Sequence, residues 1–446
     1  MRRRKNLSER KNEQGIIITL VAVFMLFVVG AMAALSIDVV TLYTARSEAQ
    51  LAADGAALAG ARVLANSGMT SDTNAVTDGL ATHAETLARA VATQVAANNQ
   101  VGGRNLNPGG PCAVGTEISV CFNDGATAFA TNPHVTVTVQ RTDLPTFFAR
   151  IWGTKQVTVG ASATAEAYNP SGASGTPPVA PVCVKPWLLP NIDPSNTAAK
   201  GSPIFNPVTG AIQTTSLLGS TSSTTGTPLQ PACINCTPLP APAVTGWQYY
   251  PGDTTTTFPP PQALPNCAPA MTTAYEQSIA GCIQTPIACN SNTAYIDTIN
   301  YAARNRETAH AVNCLTHSNT NQGDQVDPAD ASPPFQFLAG NDNPITGLAG
   351  SDVMVSDSLV TVPVFDVGAP IGPGPTFNPP TSPVQIVGFV QLFLNPNGLR
   401  TRPWGPTPGQ VNTTVINMAG CGTGASGTPI LGNGASPVAV RLISPP

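Results

Sequence analysis

An uncharged apolar run near the N-terminus constrains the fold of this chain more than any other feature. Residues 16–37 are 22 consecutive positions without a charged side chain, IIITLVAVFMLFVVGAMAALSI. As an α-helix with a rise of about 1.5 Å per residue, the run is about 33 Å long and can cross a hydrocarbon core of about 30 Å. Residues 1–15 carry six basic and two acidic side chains, and a basic flank stays in the cytoplasm. We therefore expect a single-pass protein of the cell membrane, with residues 1–15 cytoplasmic and the bulk of the chain periplasmic or extracellular.

Two other interpretations of this run stay open. A cleaved signal peptide also begins with basic residues, and Ala31-Met32-Ala33 has the small-residue pattern of a cleavage site. A buried core helix is the second alternative, although 22 uncharged residues beside a basic cluster are unusual in a soluble core. The sequence leaves open whether the N-terminus is processed after Gly15 or after Ala33.

Composition excludes several classes of protein. Charged residues make up 10% of the 446, against about 25% in ordinary soluble domains, which argues against a cytosolic globular enzyme. The net charge of −4 excludes a nucleic-acid binder that works through a general basic field. The ten cysteines all follow the apolar run, which indicates disulfides formed in an oxidising compartment. Cys112 and Cys121 flank a candidate hairpin and are a candidate pair, whereas the other pairings stay open; these others are Cys183, Cys233, Cys236, Cys267, Cys282, Cys289, Cys314 and Cys421.

The predicted helix continues past the membrane as an alanine-rich rod over residues 38–65. Apolar positions recur in steps of three and four, which is the spacing of a helix-packing seam. This alanine seam consists of Leu42, Ala45, Ala49, Ala52, Ala56, Ala59 and Val63. Because alanine side chains are small, a partner helix can approach the seam closely. No proline interrupts residues 16–65, so one rod of about 75 Å is expected.

The same segment carries a family resemblance. Asp38, Tyr43, Arg46 and Gln50, followed by the run AADGAALAGA at 52–61, resemble the N-terminal segment of TadG-like proteins of the tight-adherence (Flp) pilus assembly systems. The close resemblance spans about residues 14–61, and a looser one covers 134–167, including TFFAR at 146–150. It implies a structural or assembly component, not an enzyme, with protein partners in a pilus complex reached through the alanine-rich helix. The candidate membrane-edge or partner residues are Asp38, Tyr43, Arg46, Gln50 and Asp54.

The remaining chain predicts an α+β fold with a β-rich C-terminal part. A second helix is expected at 74–98, with Val76, Leu80, Ala84, Leu87, Val91 and Val95 on one face, either folded back on the alanine seam or packed on a sheet. It belongs to a segment, 66–167, that ends in a small antiparallel sheet with strands at 117–122, 134–140 and 156–161 and a helical turn at 146–152.

Residues 168–265 are a Pro/Thr/Gly-rich linker or extended region, since 40 of 44 prolines follow residue 167. Residues 266–446 mix helical and β-rich stretches, with strands expected at 353–367, 384–394, 411–418 and 438–443 in one sheet.

No catalytic, cofactor-binding or metal site is predicted. Cys233 and Cys236 form a C-x-x-C motif that lacks the βαβ context of a thiol oxidoreductase. His310, Cys314 and His317 have a spacing that allows a metal, but surface histidines beside a disulfide explain them as well. Asp324, Asp327 and Asp330 lie in a Pro/Asn-rich loop where calcium binding is conceivable, but a solvated acidic loop is expected. Two alternative functions stay open: a surface adhesin whose Thr/Pro-rich outer body and exposed aromatic residues contact a ligand, and a secreted hydrolase behind a cleaved signal peptide.

Overall fold

A computed structural model of the chain divides into two compact units. The structure describes residues 6–123, 132–172, 176–194, 202–214, 217–219, 227–231, 247–289, 294–297, 301–328, 332–366, 383–403, 409–422, 424–432 and 436–443. Unit 1 comprises Met1–Ala56, Ala92–Cys121 and Thr136–Ala163. Unit 2 comprises Ala57–Val91, Phe122–Val135 and Thr164–Pro446.

One uninterrupted helix, α1, runs over Asn6–Asn66. It confirms the expected rod, because no proline or helix-breaking turn occurs within it. The stretch Ile17–Asn66 contains an 18-residue window with a mean hydropathy of 2.7, and none of that window is buried. Length and apolar composition therefore allow this helix to cross a membrane.

Unit 1 combines the first part of α1 with the end of a second helix and a sheet. Helix α2 spans Leu80–Asn98 and leads into a two-stranded antiparallel hairpin, β1 (Gln100–Val101) with β2 (Arg104–Asn105). Strands β3 (Ile118–Phe122), β4 (His134–Pro145) and β5 (Gln156–Tyr168) then neighbour one another in that order. A 3-10 turn, Ala149–Trp152, lies between β4 and β5, so the expected strands and helical turn are confirmed, and β4 and β5 are longer than predicted.

Helix α2 begins six residues later than predicted, and its buried face is rotated from the predicted one, with Leu80 and Ala84 common to both. Gly79 has a left-handed backbone, with φ of 84°, immediately before the helix starts, and 74–78 form turns. Apart from Leu80 at its start, the buried face consists of alanines; these are Ala81, Ala84, Ala88, Ala92 and Ala96. Gly55 of α1 lies against α2, since a Cβ built on it would be 4.0 Å from Val95 Cγ1. The small residues allow the two helices to approach closely, which displaces the larger predicted side chains to the edge of the contact.

Six strands in the described part of unit 2 close into a barrel. Their order is β12-β13-β14-β8-β9-β7, with β7 and β12 pairing in parallel. The strands are β7 (Trp187–Pro190), β8 (Thr227–Pro231), β9 (Trp247–Pro251), β12 (Leu359–Phe365), β13 (Ile386–Leu394) and β14 (Val411–Gly420). Residues 168–265, expected as linker or extended chain, thus supply three of these strands. Strands β12 and β13 are buried along their whole length, which explains their nearly continuous apolar sequences.

Unit 2 also contains short strands and two helices, which lie before, between and after the barrel strands along the chain. The short pairs are β6 (Val179–Ala180) with β15 (Ile430–Leu431), and β10 (Gln325–Val326) with β11 (Phe337–Leu338). Helices α3 (Ala274–Ala280) and α4 (Tyr301–Leu315) pack on each other. The last strand, β16 (Ala439–Ile443), pairs antiparallel with residues 164–168 of β5. The sequence placed β16 in one C-terminal sheet with β12, β13 and β14. This expectation was wrong, because β16 pairs with β5 and the other three strands belong to the barrel.

A buried aromatic network lies in the core of unit 2. Trp187 Nε1 donates to the Tyr275 hydroxyl at 3.1 Å, and the Tyr249 hydroxyl lies 3.1 Å from Thr308 Oγ1. Trp187, Tyr249 and Tyr250 are each at most 3% exposed. These aromatic residues therefore do not form the exposed ligand-contacting surface that the adhesin alternative requires.

The eight cysteines among the described residues form four disulfides. Cys112 pairs with Cys121 as the hairpin spacing indicated. The other pairs, which the sequence left open, are Cys183–Cys282, Cys267–Cys314 and Cys289–Cys421. Cys233 and Cys236 lie outside the described residues. The pairs confirm the expectation of a disulfide-bonded body.

One buried lysine gives unit 2 a testable pH dependence. Lys185 is 4% exposed, and its Nζ donates to the Gly281 carbonyl at 2.8 Å. Burial lowers the pKa of Lys185 to about 8, and the negative charge of Asp357 opposes this shift. From about pH 8 up to the ordinary lysine pKa of about 10.4, the unfolded chain holds a proton that the folded chain has lost, so stability rises with pH.

We expect Lys185→Met to stabilise unit 2 at pH 7. The variant removes the penalty of burying a charge and one hydrogen bond, so the free energy of unfolding rises by about 2 kcal/mol. Chemical denaturation of the full chain in detergent at pH 7 and pH 10 measures this gain, which disappears at the higher pH. Lys155→Met, at an exposed lysine, serves as the control with unchanged stability. If Lys185→Met is less stable than the wild type at both pH values, the buried charge of Lys185 does not destabilise the fold.

Candidate functional site around Asp38 and the exposed face of the first helix

Asp38 is a buried carboxylate at the end of the apolar run. It follows residue 37 directly and is 3% exposed, whereas every other described side chain from 17 to 44 is at least partly exposed. Its Oδ1 accepts from the Phe147 backbone N–H at 2.9 Å. Its Oδ2 accepts from the N–H groups of Phe148 at 3.0 Å and Ala149 at 2.7 Å. A charged group can remain buried here because three donors replace water.

The donors come from a loop whose ends are joined to each other. The Thr146 N–H donates to the Lys155 carbonyl at 3.3 Å, and the Thr146 hydroxyl donates to the Thr154 carbonyl. The Thr154 N–H donates to the Ala149 carbonyl at 3.2 Å. Gly153 ends the 3-10 turn with a left-handed φ of 97°, which a residue with a Cβ rarely adopts. Residues 146–155 are therefore a closed loop, and we call them the Asp38-bound loop.

The hydrogen bonds determine the charge state of Asp38. Burial alone raises the pKa of this carboxyl, but the N–H groups of Ala149, Phe147 and Phe148 outweigh burial and hold the pKa below its ordinary value. Asp38 is therefore ionised at neutral pH. Its interaction with the loop is fully present above the unfolded-state pKa of about 3.9 and is lost as the pH falls through the lower folded value.

The other predicted site residues lie on a different face of α1. Tyr43 is 79% exposed, and Arg46 and Gln50 are exposed as well. Gln50 Nε2 donates to Asp54 Oδ1 at 2.7 Å, so these two form an intrahelical pair one turn apart. At 100° per residue, Tyr43 and Gln50 lie about 140° and 120° around the helix from Asp38, and Arg46 lies about 80° from it, beside the alanine seam. The five predicted residues therefore do not form one cluster.

The alanine seam is covered by the chain itself. Ala45, Ala49, Ala52 and Ala56 are each at most 1% exposed. Beside them, Glu48 Oε2 accepts from the Gly102 N–H at 2.6 Å, and Gln50 Nε2 approaches the Ser162 carbonyl at 3.5 Å. The seam is a packing surface within the chain, so among the helix residues whose burial the structure describes, the exposed side with Tyr43 and Arg46 is available to another protein.

A charged cluster in unit 1 was missed by sequence reasoning. Arg104 pairs with Glu117 and lies 2.9 Å from Asp143, which also accepts from Arg141 Nε at 3.1 Å. Arg104 lowers the pKa of both carboxyls and has its own pKa raised by them. Arg141 is buried and also donates to the carbonyls of Val101 and Gly102. The cluster joins the β1–β2 hairpin to β4, and no local sequence pattern marks residues so far apart.

The candidate metal ligands are engaged in other bonds. His310 Nδ1 lies 2.9 Å from Glu276 Oε1, Cys314 is in a disulfide, and His317 Nε2 lies 3.2 Å from Asp357 Oδ2. Asp324 accepts from the Gly340 N–H and the Ser356 hydroxyl, so it is a buried structural residue and not part of a solvated loop. Within the described ranges, no group of three or more His, Cys, Asp or Glu side chains is arranged to hold a metal ion. Asp330 lies outside these ranges.

Comparison with known families gives a match on α1. Residues 17–63 match the family described as "Putative Flp pilus-assembly TadE/G-like". The match confirms the resemblance seen over residues 14–61 and contains Asp38, Tyr43, Arg46, Gln50 and Asp54. No curated protein and no solved structure matches the chain.

Proposed function

We propose that the chain is a single-pass, membrane-anchored structural or assembly component of a tight-adherence (Flp) pilus or a related envelope system. The main support for this proposal is that the Flp pilus-assembly match at 17–63 coincides with an unburied apolar helix that continues as the alanine-rich segment. The family description concerns assembly and not a reaction, and we propose no catalytic step.

Charge and disulfides support an orientation with the N-terminus in the cytoplasm. The six basic residues before residue 16 are typical of a cytoplasmic flank. The four disulfides all lie after residue 37 and require an oxidising compartment to form and persist. Units 1 and 2 would thus be periplasmic or extracellular.

The exposed face of α1 beyond the membrane is the proposed contact for other pilus-assembly proteins. It offers Tyr43 and Arg46, which are both exposed. Tyrosine and arginine are the residue types that most often dominate the energy of protein interfaces. Because the alanine seam is covered by the chain itself, a partner helix would dock on this face without unfolding unit 1.

We expect Tyr43→Asp combined with Arg46→Glu to weaken co-purification with pilus-assembly proteins. Removing two interface anchors and reversing a charge should lower recovery of the partners at least about tenfold, the equivalent of about 1.4 kcal/mol. Affinity purification from detergent-solubilised membranes of cells that make the pilus measures the loss.

Thr82→Asp combined with His83→Glu is the matched control, because both residues are exposed helix positions outside the proposed face. Both variants should remain in the membrane fraction with normal thermal unfolding. Equal recovery of partners by the two variants would contradict the proposed face. Absence of every pilus-assembly protein from the wild-type complex would contradict the proposed function itself.

A further inference from the structure

We infer that the Asp38-bound loop, residues 146–155, is a lipid-contacting surface that lies on the outer leaflet of the bilayer and favours anionic headgroups. The inference rests on the proposed membrane anchoring and adds a second point of contact with the membrane. It concerns unit 1 only.

The hydrogen bonds to Asp38 fix the level of this loop. The apolar run ends at residue 37, so Asp38 would lie where the hydrocarbon core gives way to the headgroups. The backbone nitrogens of 147–149 are within 3.0 Å of the Asp38 carboxylate. A loop bound so closely to this residue cannot lie far from the bilayer surface.

The outward side chains of the loop suit a membrane interface. Phe147 is 62% exposed, and Arg150 and Lys155 are exposed. The ten residues TFFARIWGTK contain two basic side chains and no acidic one. Segments that lie on a membrane surface bury phenylalanine at the boundary between headgroups and acyl chains, and basic residues there are attracted to anionic headgroups.

The loop is rigid enough to present these side chains together. Its two ends are joined through Thr146, and three further backbone N–H groups bind Asp38. The contact also serves the helix, since an unpaired carboxylate at the edge of the hydrocarbon would be strongly unfavourable. Asp38 thus both positions the loop and is shielded by it.

Depth-dependent fluorescence quenching in the full-length chain tests the inference. Phe147→Trp and, as a matched control, Leu51→Trp are each made in a Trp152→Phe background and reconstituted into nanodiscs that contain lipids spin-labelled near the headgroup. The emission of the Trp152→Phe parent, which keeps Trp187, Trp247 and Trp404, is subtracted from each. Leu51 is also exposed but lies 13 residues past Asp38 on the same helix, about 20 Å farther from the membrane. We expect several-fold stronger quenching at position 147 than at 51, and an increase at 147 as phosphatidylglycerol replaces phosphatidylcholine.

Two further variants separate the contributions. Arg150→Glu with Lys155→Glu should abolish the dependence on phosphatidylglycerol. Asp38→Asn should reduce quenching at 147 by loosening the loop, whereas Asp54→Asn, at a carboxylate that binds Gln50, should not. Retention of the anionic-lipid effect in the charge-reversed loop would overturn the headgroup preference.

The outcomes distinguish this inference from the proposed anchoring. Equal, weak quenching at 147 and 51 in a chain that resists alkaline carbonate would overturn the lipid contact while leaving the anchor intact. If position 147 is not quenched in pure lipid and is shielded only in pilus-assembly complexes, the loop contacts a protein partner and not lipid. Release of the chain by carbonate would contradict the anchor.

Discussion

Replacing Phe24 and Phe27 with lysine is expected to abolish stable membrane insertion. Both side chains lie near the centre of the apolar run and are 65% and 71% exposed. A lysine at the centre of a membrane helix costs about 2.5–3.5 kcal/mol, so the pair costs about 6 kcal/mol. The wild-type chain should remain in vesicles during an alkaline carbonate wash, whereas the double variant should appear in the supernatant or be degraded.

Lysines elsewhere on the same helix provide the control. Thr44→Lys with Leu51→Lys adds the same charge at exposed positions beyond the apolar run, and this variant should stay in the membrane. Release of wild-type full-length chain by carbonate would show that α1 is not a membrane anchor. N-terminal sequencing of the mature protein completes the test, because a start at Ala34 would support the secreted alternative, and Met1 or Ile16 the anchored one.

Local patterns were enough to predict the helix. The absence of proline and charge over residues 16–37, and the spacing of alanines after it, require no long-range information. Asp38 and residues 146–150 were both singled out, but only the structure shows that they bind each other. The hydrogen-bonded residues are 109–111 positions apart, and a contact over that distance produces no periodic pattern in a single sequence.

The barrel of unit 2 was not predictable because its strands carry misleading local signals. Strand β8 has the sequence TPLQP, and two prolines usually argue against a strand with neighbours on both sides. Yet Pro228 lies opposite Asn412 of β14, and Pro231 lies opposite Tyr249 of β9. The face of α2 was predicted only in part, at Leu80 and Ala84, for a related reason, since alanines gain burial only when a second helix approaches them closely. Such pairings are decided by tertiary contacts, which outweigh local propensity.

Removing the Cys289–Cys421 disulfide is expected to destabilise unit 2 more than any single hydrogen bond in it. The two cysteines are separated by 132 residues, and Cys421 follows strand β14 directly. Closing so long a loop lowers the entropy of the unfolded chain, which corresponds to about 5 kcal/mol of stability. Both cysteines are at least 90% buried, so Cys289→Ala with Cys421→Ala avoids placing new polar groups in the core. Guanidinium unfolding of the full chain in detergent, followed by tryptophan fluorescence, measures the loss; Trp187 reports from the core of unit 2.

The Cys112–Cys121 disulfide is the matched control, because it closes a loop of only 9 residues in unit 1. Its double alanine variant should lower the free energy of unfolding by at most about 2.5 kcal/mol. Since small domains are stable by only about 5–15 kcal/mol, loss of the long-range bridge should leave the barrel marginally folded at 37 °C. Equal guanidinium midpoints for the two double-alanine variants would contradict this prediction. Residues 289 and 421 would then already be close to each other in the unfolded ensemble, so that the disulfide adds no constraint of its own.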